Sequence, residues 1–464
     1  MRTTRSLLLL AALALALPAA AQAEVGSAGL GDPYFPDAGN GGYDVASYDL
    51  DLTYSPKSRK LDGVATISAT AQTTLDRFNL DLRPQLKARS VSVDGAAATS
   101  EATGKQELEI TPATPIAQGA SFVVEVAYGG KPKSIKDPDG TTEGWVTTKD
   151  GAFAPNEPQG SPSWYPCNDH PSDKALFSIS ITVPKDVEAI SNGKLIGREK
   201  AGKLRTWNWQ GDHPMATYLA TVAIGHFDIT RSDAGPAPSL FAIDPAIKRK
   251  VKNAKRKLKA LERTPNITRW IAGHAGPYPF SANGGIVDDV PPVTYALETQ
   301  TRPIYVSPPS ELLVVHEIAH QWYGDSVTPA NWKEIWLNEG FATYYEFLWE
   351  EERGEESAAK VFDQLYKTPA EDKEFWNPPP GNPGGAKNMF LHSIYTRGAM
   401  TLQALREKVG DDVFFSILRD WVAENAYGNV TTDDFIALAE RESGQELDEF
   451  FQVWLFEPGK PEDW

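Results

Sequence analysis

The sequence predicts a multidomain α+β chain, a sheet-rich N-terminal part followed by a mainly helical part. Apolar and polar residues alternate with period two across 43–130, and the pattern continues over 176–183 and 215–229. That alternation marks strands buried on one face. From about Ile247 the apolar spacing becomes helical, after a break at Asp233-Ala234-Gly235-Pro236. At 464 residues the chain has room for two or three domains. The expected division is a leader over 1–23, an antiparallel β-sheet domain over 24–232 and a helical domain over 233–464.

The leader has the three parts of an export signal. Arg2 and Arg5 form a basic start, Leu7 to Leu17 an apolar run, and Ala21-Gln22-Ala23 a small-x-small cleavage site. The run is too short for a membrane span. A secreted or periplasmic protein is therefore expected, with no stable membrane insertion once the leader is cut. One cysteine, Cys167, excludes an intrachain disulfide. Its neighbours Trp164, Tyr165 and Pro166 suggest a packed structural position.

Composition narrows the function. Hydrophobic residues make up 41% and charged residues 23%, enough apolar material for a large core. Lys+Arg number 45 against 62 Asp+Glu, a formal charge of −17. Nucleic acid is excluded as a general partner, because it calls for a basic footprint. The strip Lys248 to Lys259 carries eight basic residues. It reads as a solvated helix face with Val251, Ala254, Leu258 and Leu261 turned inward.

In the N-terminal part, Tyr48–Tyr54, Phe78–Leu82, Glu107–Ile110, Phe122–Val126 and Leu176–Val183 are the strand patterns. Asp94-Gly95 and Gly129-Gly130 read as turns. In the second part, 247–274, 309–323, 335–352, 356–367, 396–408, 411–424 and 432–441 favour helix, with Gly324 and Gly410 as stops.

The chemistry lies in His316-Glu317-Ile-Ala-His320. Two histidines four apart on a helix emerge from one face and can share a tetrahedral zinc. Glu317 points elsewhere and can reach a water on that metal, where a general base is needed. With seven histidines in the chain, this pattern is expected by chance roughly 0.007 times. Nineteen positions after His320, Glu339 lies in a second helical stretch that can pack on the first and supply the third ligand. Two histidines and one glutamate leave a fourth position open, the mark of a catalytic zinc. Glu346 lies two turns after Glu339, either as a partner to a ligand histidine or as a surface acid.

The segment His316 to His320, then eighteen residues, then Asn338-Glu339-Gly340-Phe341-Ala342 resembles the aminopeptidase N family of gluzincin zinc metallopeptidases. So do Tyr165-Pro166-Cys167-Asn168-Asp169-His170-Pro171 with Lys174-Ala175, and Asp448-Glu449-Phe450-Phe451 through Pro461. The resemblance covers nearly the whole chain after the leader. It implies a saddle-like β-domain followed by a thermolysin-like catalytic domain that binds one Zn2+ per chain. It also implies a short form, because larger members continue into an all-helical domain beyond the point where this chain stops, at Trp464.

Three further assignments come from the resemblance. Tyr395, in Tyr395-Thr-Arg397-Gly398, matches the family tyrosine that hydrogen-bonds the oxyanion, with Arg397 keeping the charge of the family lysine. Glu298 matches the glutamate of the Gly-x-Met-Glu-Asn motif that binds the substrate α-ammonium, although Tyr295, Leu297 and Thr299 depart from that motif. Glu157 and Gln159 stand in the region of an upstream substrate-binding element. The implied activity is zinc-dependent removal of N-terminal residues from peptides by a monomer. Two alternatives stay open: an endo- or oligopeptidase on the same scaffold, favoured by the altered Glu298 motif, and a zinc-binding secreted protein without catalysis.

Overall fold

The computed structural model describes residues 24–462. The leader therefore lies outside the described residues. No helix among them is long and apolar enough to cross a membrane.

The five named strand patterns all form, and each strand is longer than its motif. The stretch 215–229, expected to continue the alternation, is instead split: a 3-10 turn at Thr217–Leu219 precedes the short strand Val222–Gly225, and Asp228 starts a strand of another sheet. Tyr43–Ser55 pairs antiparallel with Lys60–Ala71, which pairs antiparallel with Ser121–Gly130. Along Tyr43–Ser55 the residues Leu50, Leu52 and Tyr54 are buried while the residues between them face outward. These strands belong to an eleven-stranded sheet. It is mainly antiparallel, with one long parallel pairing of Leu176–Pro184 on Tyr43–Ser55. Asp94 and Gly95 turn the chain with positive φ, as expected. Gly129 and Gly130 do not turn. They lie inside the strand, where a side chain at Gly130 would collide with the Gln85 carbonyl. Their sequence signal is close backbone approach.

The second part is mainly helical and carries a small sheet of Asp228–Ser232, Ser239–Ile243, Asn283–Val287 and Ile304–Tyr305. The break expected at 233–236 is therefore a turn within this sheet, and Asp228–Ser232, placed before the boundary by sequence, pairs with a strand after it. The long helical stretch expected over 247–274 is broken into Pro245–Lys250, Ala254–Lys257, a 3-10 turn and Thr264–Ala275. Asn253 adopts a left-handed conformation between the first two pieces. The like charges crowded there give the helix no i,i+4 ion pair to offset their repulsion. Ala254, Leu258 and Leu261 are buried and Val251 packs against the core, so the basic strip is a surface face.

Polar contacts lock the two parts together beside the site. Lys174 Nζ donates to the carbonyls of Asp325 and Ser326 at 3.0 and 2.9 Å and to Thr328 Oγ1 at 2.8 Å. Asn192 Nδ2 donates to Gln300 O at 2.8 Å, and Gly193 N to Thr301 Oγ1 at 2.8 Å. The loop carrying Glu298 is thus held from the β-domain side. Cys167 is fully buried, and its backbone exchanges hydrogen bonds with Asp81.

Candidate active site

The helix Glu311–Ala319 starts where the Ser310 side chain accepts the Leu313 N–H at 3.1 Å, an N-cap. It ends at His320, whose N–H still donates to the His316 carbonyl. Helical geometry therefore continues across both histidines, and their rings lie 4.7 Å apart. The helix Trp336–Glu352 packs against it and brings Glu339 up to the pair.

The ligand atoms converge. Glu339 Oε2 lies 3.1 Å from His316 Nε2 and 3.4 Å from His320 Nε2. Donor atoms around a tetrahedral zinc at bond lengths of 2.0–2.2 Å stand about 3.3–3.6 Å apart; one distance lies in that range and the other about 0.2 Å short of it, a spacing that an ion would open slightly. The other ring nitrogens are engaged. His316 Nδ1 meets Glu346 Oε1 at 2.8 Å, and His320 Nδ1 meets the Tyr323 carbonyl at 3.1 Å. Each partner accepts a proton at Nδ1 and leaves Nε2 free to coordinate. Glu346 is thus a partner of a ligand, the first of its two sequence readings. Replacing it with alanine should weaken zinc binding about 10–100-fold, measured by competition with a chromophoric chelator.

Burial lowers the affinity of both histidines for a proton, and the carboxylates around them more than reverse this: Glu339 and Glu346 for His316, Glu298 and Glu339 for His320. Glu339 resists burial in the same way and is held below the usual carboxylate range by His320 and His316. His316, His320 and Glu339 would hold a divalent cation in place of those protons.

The ligands line a cavity of about 480 Å³ shared with Glu317, Glu298, Glu157 and Tyr395. Burial pushes the Glu317 carboxyl up to about 8, with His316 and His320 opposing. Glu298 is 2% exposed and Glu157 7%, and each has a carboxylate oxygen, Oε1, without a hydrogen-bond partner. Burial raises both carboxyls. Gln321, just after the ligand helix, holds the Glu298 loop by donating to the Glu298 carbonyl at 2.8 Å and accepting the Thr301 N–H at 2.7 Å.

Tyr395 arrives on the helix His392–Val409, which packs against Trp336–Glu352. Gly340 and Gly398 meet at the crossing, where an added Cβ on either would stand 2.9–3.0 Å from the other's backbone. That contact draws the helix bearing Tyr395 toward the one bearing Glu339. The Tyr395 ring stacks on His316 at 6.0 Å. Arg397 serves elsewhere. Fully buried, its guanidinium donates to the carbonyls of Trp376, Val453, Trp454, Glu457 and Gly459, fastening the C-terminal segment.

Gln159 does not line the cavity. Its amide donates to Asp137 Oδ1 at 3.1 Å and accepts from Arg83 at 3.3 Å. Asp139, Thr141, Leu313 and Phe390 line the cavity and were not singled out from sequence.

Residues 45–219 match the Peptidase M1 N-terminal domain, and residues 296–454 match the Peptidase family M1 domain. The chain belongs to the M1 peptidase family. Its fold matches the M1 zinc metallopeptidase from Deinococcus radiodurans. A Glu-to-Ala mutant of that protein bound to a Tyr-Ser-Ala substrate superposes with a TM-score of 0.84 at 28% identity, covering 94% of this chain and 99% of that one. Among curated relatives, Aminopeptidase M1 of Arabidopsis thaliana is 26% identical over 343 residues, 68% of this chain and 37% of its own length. Aminopeptidase A of Gloydius brevicauda is 26% identical over 459 residues, 89% of this chain and 46% of its own. This M1 chain thus spans less than half of the curated relatives it matches. The family's cofactor is zinc, and His316, His320 and Glu339 are the described residues with the geometry to hold it.

Proposed function

We propose that this M1 chain is an exported zinc aminopeptidase that releases N-terminal residues from peptides. The observation that carries the reading is the pair of unpartnered carboxylate oxygens on Glu298 and Glu157, both buried beside the zinc ligands. A buried charge without a partner is costly. A peptide's α-ammonium offers three donors and one positive charge, the complement these two groups lack. A cleft built to cut within chains has no need of such a pair.

When bound, zinc supplies a Lewis acid that polarises the scissile carbonyl and acidifies a water. Glu317, on the ligand helix, accepts the proton of the attacking water and passes it to the leaving nitrogen. Tyr395 donates its hydroxyl hydrogen to the oxygen of the scissile carbonyl as charge develops there. Glu298 and Glu157 hold the amino end, so the first peptide bond is the one that meets Glu317. Glu346 and the Tyr323 carbonyl keep the two imidazoles oriented.

The α-ammonium assignment is tested by Glu298→Ala. KM for a free-amino peptide should rise about 10²-fold, because the mutation strips a buried charge partner. Zinc content should stay the same. An unchanged KM would remove Glu298 from the amino-end site. For Tyr395→Phe, kcat should fall about 10²–10³-fold with little change in KM, since the hydrogen bond strengthens only in the transition state. A raised KM at constant kcat would place Tyr395 in ground-state binding instead.

A further inference from the structure

Among the described residues, six carboxylates line the active-site cavity, and no Lys or Arg does. Five have tasks in the reading above. Glu339 is a zinc ligand, Glu346 orients His316, Glu317 moves the proton, and Glu298 and Glu157 face the amino end. The sixth, Asp139, has none.

Asp139 sits at the tip of a hairpin from the β-domain, formed by Ser134–Lys136 and Thr142–Gly144. The tip is a tight, defined turn. Asp139 Oδ1 accepts the Thr141 N–H at 2.8 Å and the Thr141 hydroxyl at 2.7 Å, and Gly140 N donates to Asp137 O at 2.9 Å. Lys136 of the same hairpin donates to the Gly140 carbonyl and the Thr142 hydroxyl, and not to Asp139. The hairpin is pinned from two sides. Tyr295, beside the Glu298 loop, donates its hydroxyl to Thr142 O at 3.2 Å. Gln159 bonds Asp137 and Glu143 from below. Tyr295 replaces the glycine of the family motif, so this tie depends on a side chain that the motif glycine lacks.

Ala296, Leu313, Phe390 and the Tyr295 ring share the cavity with Asp139. Apolar walls next to a carboxylate suit one kind of side chain: a methylene stem that packs, ending in a cation that pairs. An acidic side chain would meet like charge and find no cation among the lining residues.

We propose that Asp139 is a specificity-determining residue that gives this cleft a preference for peptides whose first side chain is cationic, arginine or lysine. The inference rests on the aminopeptidase reading above. The net charge of −17 acts in the same direction, drawing cationic peptides toward the protein.

The test uses fluorogenic amides in matched pairs, arginine against citrulline and lysine against norleucine, with the zinc-loaded full chain. The unmutated enzyme should favour the cationic member of each pair in kcat/KM. Asp139→Asn should reduce that ratio about three- to fivefold, the scale of a solvent-exposed ion pair. Asp139→Lys should reduce it further and raise the relative rate on the glutamate amide. Each ratio is taken within one preparation, so a loss of folded enzyme cancels. Equal rates on arginine and citrulline, or a ratio unmoved by Asp139→Asn, would overturn the inference and leave the aminopeptidase reading intact. Equal rates on acetylated and free arginine amides, or no turnover of any free-amino amide, would overturn both.

Discussion

Glu317→Gln is expected to lower kcat by about 10³-fold and to leave zinc in place. The size follows from the role, because general acid–base catalysis contributes roughly 10²–10⁴-fold. Glutamine keeps the shape of a side chain that is 4% exposed, so packing of the ligand helix is preserved. Its amide can neither take a proton from water nor return one to the leaving nitrogen. Glu317 is not a ligand, and the three donor atoms that fit zinc belong to His316, His320 and Glu339. Metal analysis should therefore give one zinc per chain in mutant and parent alike. Near-native turnover by Glu317→Gln would refute the general-base assignment. Loss of zinc along with activity would show that Glu317 holds the metal.

Glu339→Ala should produce the opposite pattern, with zinc lost first and activity lost as a consequence. Glu339 Oε2 is the atom common to both histidines, at 3.1 and 3.4 Å from their Nε2 atoms. Without it two neutral nitrogens remain, and the charge that favours a divalent cation is gone. Zinc binding also stabilises the folded state, by about 4 kcal/mol when free metal exceeds its Kd a thousandfold. The parent should melt at a higher temperature when zinc is added back after chelation, and Glu339→Ala should not respond over the same range. A mutant that kept full zinc after dialysis would exclude Glu339 as a ligand.

How much of this was legible in the sequence depended on the range of each signal. The histidine pair could be read because four residues of helix fix its geometry whatever the surroundings. Glu339 and Glu346 followed, since seven residues on one helix share a face. The strands were legible from alternation for the same local reason. Signals that depend on distant neighbours were lost. Gly129 and Gly130 have the composition of a turn, and only the approach of Gln85 shows why they lie in a strand. The break in the 247–274 helix rests on Asn253 and on crowded like charges, which a count of apolar spacing ignores. Arg397 matches a family lysine in charge, yet four carbonyls of the C-terminal segment and that of Trp376 claim it. The Asp139 hairpin reaches a cleft whose walls, Thr141 and Glu157 aside, come from Thr294 onward, and no local pattern announces that contact.

The central claim is that the cleft reads a free amino end and cuts beside it. The most direct measurement compares a tripeptide with its N-acetylated twin on the unmutated, zinc-loaded enzyme, with products separated by chromatography. Release of the first residue from the free peptide is expected, with kcat/KM about 10²-fold higher than for the acetylated twin, the cost of leaving Glu298 and Glu157 without their cation. Equal kcat/KM for the two, or cleavage within longer blocked peptides at the same rate, would contradict the aminopeptidase account.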